Sequence, residues 1–368
     1  MNFDFSEDQK LLQKTARDFL AENCSLEVPR AILESDRSYD EGLWKGVAEM
    51  GWLGAAVPEE YGGAGFGQLE LAVLAEEIGR SLAPIPFGPS VYLATEALML
   101  AGKEEQKSRY LPRLASGESI GTLAIAEGPG SLETSTVETR LEGGTLHGVK
   151  LPVLDGDIAD LAVVAAHEGR GVSLALVDLS GPGVSRTPIE SIDPSRSLAR
   201  IEFDGAPAEQ LGGSGQGTEL AERVLDRAAV LMAFEQLGGA DATFEQTHAQ
   251  TMGRFAFGRP VASFQAVKHR MADIWAKLQL ARSNCYYGAW ALENQADELG
   301  IAAALSRVAA SEAYEWASQE NIQLHGGVGF TWEYDCHLFY RRAMSLAVAL
   351  GGTAEWREKL IARVERAS

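Results

Sequence analysis

Gln323-Leu324-His325-Gly326-Gly327-Val328-Gly329-Phe330 places three glycines and an amide side chain where a long amphipathic helical pattern stops. Without Cβ atoms, glycines let backbone N–H groups come close to a ligand. A helix end or backbone concavity rich in such donors suits an anion such as a pyrophosphate. Taken alone, such an octapeptide is more often a helix C-cap followed by a turn.

A second cluster lies about sixty residues upstream. It is Arg254-Phe255-Ala256-Phe257-Gly258-Arg259-Pro260, followed by Phe264-Gln265 where another helical pattern begins. Together, the Arg-x-x-Phe-Gly element, the Phe-Gln pair and Gln-x-His-Gly-Gly-x-Gly-Phe resemble the C-terminal half of the acyl-CoA dehydrogenase family of flavoproteins. The resemblance covers nearly the whole chain. Pro58-Glu59-Glu60-Tyr61-Gly62-Gly63 matches the family's N-terminal turn, and Gly148-Val149-Lys150 matches the start of its central flavin-facing strand.

Composition bounds the rest. A chain of 368 residues, 46% hydrophobic, can bury a core spread over two or three domains. Its first residues carry acids and lysine without a sustained apolar run, and no stretch of about eighteen apolar residues suggests a membrane span, so the expectation is a cytoplasmic protein. Fifty-two acids against thirty-two bases leave a formal charge of −20, which repels nucleic acid and an anionic membrane surface. Coenzyme A, also an anion, would need a local basic patch. Cys24, Cys285 and Cys336 are far apart and in no metal-ligand spacing, which argues for inert core thiols rather than disulfides or a zinc site.

Periodicity divides the chain in three. Ser6 and Gln9 form a capping box ahead of an apolar face at Leu12, Ala16, Phe19 and Leu20. Leu43, Trp44, Val47 and Met50 make a second helix that stops at Gly51, and Leu71, Leu74 and Ile78 a third, ahead of the breakers Gly79, Pro84 and Pro86. From about 118 the texture changes to short alternating runs, with Glu142-Gly143-Gly144-Thr145 as a hairpin turn. Asp204 to Gly217 reads as a linker into helices that continue to the end. The expected fold is α+β and mainly α: an N-terminal helical domain over 1–117, a middle β domain over 118–208, and a C-terminal helical bundle over 209–368. The family's domain order is the same, with a four-helix bundle last.

The resemblance also implies a cofactor and a division of labour. In the family, FAD lies across a dimer interface, with the β domain of one subunit on the isoalloxazine ring and the C-terminal bundle of the other on the pyrophosphate and adenosine. On the adenosine side, Arg254, Phe257, Gln265, Gln323, Gly326, Gly327 and Thr353 match the family's cofactor-binding positions. On the ring side, the family's Thr-Glu-Pro-x-x-Gly-Ser-Asp loop reads Ala126-Glu127-Gly128-Pro129-Gly130-Ser131-Leu132, and its Trp-Ile-Thr strand falls on Pro152-Val153-Leu154. A hydroxyl and an indole are lost, and a proline removes a backbone donor.

The family's catalytic base is a glutamate just before a Gly-Thr near the C-terminus; here the element is Leu350-Gly351-Gly352-Thr353. The alternative location for that glutamate, in the first long helix of the bundle, falls at or near Ala229. Asp226 and Glu235 lie close in sequence but off the required helical angle, and read as solvated or interface acids. The catalytic set is therefore empty. This pattern resembles the non-catalytic subunit of the α2β2 enzymes of bacterial steroid side-chain degradation, whose partner supplies the base, holds the flavin ring and takes most of the acyl-CoA. Two alternatives stay open: a homo-oligomeric acyl-CoA dehydrogenase using Asp226 or Glu235, and a flavin monooxygenase or binding protein on the same fold. His325 reads as a packing residue, the aromatics at 286, 287, 290, 314 and 316 as core or interface, and Arg342 replaces an acid that the family carries after Tyr-Arg.

Overall fold

The computed structural model describes residues 5–128, 137–169 and 171–367, and these form two compact units. One comprises the segments through Ala31, Ala72–Ala83, and Ala229 onward; the other comprises Ile32–Leu71 and Pro84–Ala228.

The chain begins with α1 (Glu7–Asn23), α2 (Glu27–Leu33), α3 (Glu41–Glu49) and α4 (Gln68–Arg80), then a fully buried π-helical stretch over Gly88–Thr95, α5 (Glu96–Ala101) and α6 (Glu104–Ala115). The capping box forms as its residues predict: Gln9 N donates to Ser6 Oγ at 3.2 Å and Ser6 N to Gln9 Oε1 at 2.8 Å. Asp40 caps α3, and Gly51 follows that helix at φ 76°. Gly79, read from the sequence as a breaker, instead lies inside α4. The reason is close approach: a Cβ at Gly79 would overlap the carbonyl of Glu235, and one at Gly238 would overlap that of Glu76.

The second unit holds one sheet. Its strands are β1 (Gly121–Ala124), β2 (Arg140–Glu142), β3 (Thr145–Leu154), β4 (Leu161–Glu168), β5 (Gly171–Asp178), β6 (Val184–Ile189), β7 (Leu198–Pro207) and β8 (Glu209–Leu211). Their order is β6-β7-β3-β2-β4-β5-β8, with β1 paired in parallel to β4. β2 and β3 join through Gly143 and Gly144 at φ 58° and 83°, the expected hairpin turn. Part of the segment expected as a linker is sheet. β7 runs to Pro207 against β3, and β8 pairs with β5, so only the glycine-rich part from Gly212 reads as connection.

The remaining elements are α7 (Gly217–Gly253), a short hairpin of β9 (Phe255–Ala256) and β10 (Arg259–Pro260), α8 (Gln265–Glu293), α9 (Leu299–His325), α10 (Cys336–Val348) and α11 (Thr353–Ala367). Within the first unit α8, α10 and α11 pack on α9, whose inner face is largely alanine, including Ala302, Ala303, Ala310, Ala313 and Ala317. Small side chains bring helix axes together and leave little room for cavities. The three cysteines are buried and are not joined in disulfides. No helix among the described residues is long and apolar enough to cross a membrane.

Candidate functional site

Arg254, the hairpin and the glycine-rich octapeptide all belong to the first unit. α9 ends at His325, where Gly326 turns the chain with φ 67° and ψ −143°. A Cβ at Gly326 or Gly327 would meet no atom within 4 Å, so the backbone here is open to approach from outside. The hairpin between α7 and α8 turns through Phe257 and Gly258, both left-handed at φ 52° and 78°. For a bulky residue such as phenylalanine that conformation is costly and marks a constrained site. The Phe257 side chain is 95% exposed, and its ring meets the edge of Phe264.

Arg254 joins the two motifs. Its Nη1 donates to the His325 carbonyl at 3.3 Å, linking residues 71 apart in sequence. Gln265, exposed, opens α8 with its Nε2 3.4 Å from His269 Nε2, and Gln323 is exposed on the last turn of α9. Thr353 opens α11 and is not part of the Arg254 link. His325 is buried and makes a 2.7 Å hydrogen bond through Nδ1 to the Asn321 carbonyl, while burial lowers its pKa from the ordinary histidine value. It packs, as expected, against Tyr334.

Both expected base positions lack a carboxylate. Gly351 is buried at φ 90°, and Ala229 is fully buried between Ala228 and Val230. A neighbouring acid fills the space at Gly351: a Cβ there would lie 2.7 Å from Glu355 Oε2. Glu355 sits one turn into α11, and Lys359 Nζ lies 2.9 Å from its Oε1. The i,i+4 spacing of Glu355 and Lys359 is the sequence signal for this pair.

Asp226 is half-buried. Glu235 corrects the expectation of a solvated acid: it has no exposed surface, and Arg342 Nη1 lies 4.0 Å from its Oε1. Arg342 also donates to the carbonyls of Leu82 and Ala83. The cation at 342 therefore has a carboxylate on α7 as its counter-charge, which explains how an arginine is tolerated where the family carries an acid.

The expected ring-side residues lie in the second unit. Ala126 is buried and accepts a hydrogen bond from Leu151 N at 2.8 Å. Pro129 to Leu132 fall outside the described residues. Pro152 follows a cis peptide bond where the β3–β7 register shifts between Lys150 and Val153, a place where a missing backbone donor does least harm. Leu154 accepts from Thr122 Oγ1 through its carbonyl. Sequence reading missed the pair beneath this strand. Lys150, with no exposed surface, donates to Glu127 at 2.7 Å and to the Ile125 carbonyl at 3.0 Å, and burial lowers its pKa to about 8. Burial alone would raise Glu127, but hydrogen bonds from Lys150, Thr139 and Glu138 hold its pKa below the usual value.

Comparison with known proteins agrees with this architecture. The acyl-CoA dehydrogenase N-terminal domain matches residues 6–118 and the C-terminal domain residues 215–365. Acyl-CoA dehydrogenase IpdE2 of Mycobacterium tuberculosis is 34% identical over 97% of this chain and 98% of its own length. Among solved structures, the Tcur3481-Tcur3483 steroid ACAD aligns with a TM-score of 0.90 at 30% identity over 98% of each chain. The ChsE4-ChsE5 complex of Mycobacterium tuberculosis aligns at 0.89 and 28% over 100% of this chain and 98% of that one. Matched in both its terminal domains and similar along its full length to known members, the chain belongs to the acyl-CoA dehydrogenase family of oxidoreductases.

Proposed function

We propose that this chain is the non-catalytic subunit of a heteromeric, FAD-dependent acyl-CoA dehydrogenase, clamping the adenosine end of a cofactor whose ring a partner chain holds. The observation that carries the reading is the Arg254–His325 link, which sets a guanidinium beside two glycines whose Cβ positions are empty. These residues fit a dinucleotide. Arg254 offers a charged donor to phosphate oxygens, the Gly326-Gly327 backbone lets them approach, Gln265 and Gln323 offer amides, and exposed Phe257 offers a face for packing. When bound, the flavin supplies the hydride acceptor for α,β-desaturation of an acyl-CoA.

Removal of the α-proton needs a carboxylate base, and this chain has Gly351 and Ala229 at the expected positions. Glu355 lies by Lys359 and Glu235 by Arg342, so each of these carboxylates already faces a cation. Proline and leucine stand where the ring would be gripped. The relatives support a partner and a substrate class: ChsE4-ChsE5 is a two-protein complex, and Tcur3481-Tcur3483 is described as a steroid ACAD. A steroid side-chain CoA thioester bound mainly by the partner in an α2β2 assembly follows by analogy. Phe255, Phe257, Phe330, Trp275 and Leu280 are large apolar side chains left exposed, of the kind that a partner covers.

The test is flavin content. Expressed alone, the chain should be nearly colourless and inactive; co-expressed with its partner, it should give a complex with half as many flavins as chains. A yellow homo-oligomer with one flavin per chain and acyl-CoA dehydrogenase turnover would sink the reading.

A further inference from the structure

A cavity of about 460 Å³ opens within the first unit among α1, α4, α7 and α10, and no residue of the proposed clamp or base positions lines it. Leu20, Cys24 and Phe339, all buried, make its floor, and Ala21 and Ala242 its sides. Its size falls in the range of small-molecule sites, which are mainly apolar with a few placed polar groups. Here the polar lining includes Glu77, Glu245 and two arginines with different freedom.

Arg17 is committed. It donates twice to Glu77, at 2.9 and 2.6 Å, and the Glu77 side chain is only 1% exposed, so releasing Arg17 would strand a buried charge. Arg80 is different. Its own side chain is 17% exposed and its Nε lies 3.9 Å from the buried Glu77, but its closest partner, Glu245 at 2.6 Å, is 64% exposed. An ion pair with so exposed an acid is weak, and the acid can swing into water with little loss. Asp241, 3.9 Å from Arg80, also takes a donor from Arg282 and is not free to replace Glu245 fully. An anion arriving with an apolar body would therefore compete with Glu245 for Arg80, with the Glu245 carboxylate turning out into water.

We propose that this cavity binds a compact amphipathic monocarboxylate, its apolar body on Leu20, Cys24 and Phe339 and its carboxylate on Arg80 in place of Glu245. The probe is decanoate, titrated into the full-length chain by calorimetry with decanol as the neutral control. Wild type should bind decanoate at one site and more tightly than decanol. Ala21→Trp, on the exposed face of α1 at the cavity wall, should abolish binding. Glu245→Gln removes the competing acid and should tighten decanoate about threefold to fivefold, leaving decanol unchanged. Arg80→Gln should weaken decanoate about tenfold to a hundredfold. Glu245→Gln keeps Arg80 in place, so it tests the exchange even if Arg80→Gln folds poorly. No binding by wild type, equal binding after Ala21→Trp, equal affinity for decanol, or no gain from Glu245→Gln would each overturn the assignment.

Discussion

Phe257 shows how a single residue can be legible in identity and illegible in conformation. Its place in Arg-x-x-Phe-Gly was visible in the sequence, but its left-handed backbone and its nearly complete exposure were not. Both follow from a two-residue turn that forces positive φ at each central position. Arg254, exposed and linked to the glycine turn, is the residue on which the clamp reading rests. In the assembled complex, Arg254→Ala should lower FAD affinity about tenfold to a hundredfold, since a charge-assisted hydrogen bond contributes roughly 1.5–3 kcal/mol. Fluorescence titration of the stripped complex reads this directly, and unchanged affinity would remove Arg254 from the clamp. Gly351 carries a different expectation. A side chain there meets a left-handed backbone and the Glu355 carboxylate, so Gly351→Ala should cost about 1–3 kcal/mol of stability, part of which returns in Gly351→Ala/Glu355→Ala. Gly351→Glu should restore no activity to the chain alone. Chemical denaturation of the three variants, with an assay for acyl-CoA-dependent flavin bleaching, decides both points.

At the scale of elements, the crossing of α4 and α7 was the least legible feature. Gly79 carries the composition of a helix breaker and acts as a packing residue, because the partner that needs its missing Cβ lies far along the chain. For the same reason Glu235 could not be seen to be buried: helical spacing gives its angle on α7 but not which helix covers it. The crossing also buries Glu76, 3.2 Å from Arg282. Burial raises the Glu76 carboxyl to about 7 against the opposing pull of Arg282. Its folded value thus lies above its unfolded value, so its contribution to stability is full below about pH 4.5 and is lost as pH rises through about 7. Glu76→Gln should therefore gain on wild type as pH rises from 5 to 8, by on the order of 2 kcal/mol across that window. Melting temperatures of the pair at several pH values test it. A gap that stays constant or closes with rising pH would contradict the assignment. The capping box, the β2–β3 turn and the end of α9 were legible in advance because each depends on residues within four positions of one another.

For the whole molecule, the fold class followed from the change of periodicity and from motifs scattered along the length, and the family membership agrees with it. The flavin-to-chain ratio is the property at this scale on which the proposal stands, because a chain with half of a cofactor site should saturate at half occupancy only when its partner is present. What the sequence hid was the threading of the first unit. It is built from three segments, and α2 and α4 find their charged partners very late: Arg30 pairs with Asp335, 305 residues on, and Glu76 with Arg282, 206 residues on. On a ribosome this becomes a matter of timing. At roughly 5–20 residues per second, the apolar faces of α1 emerge about 10–40 s before Ala229 and the helices that cover them. Throughout that interval the nascent chain displays a half-built unit, open to premature association and to chaperones, and a message truncated near its middle would yield a fragment missing most of that unit's interior.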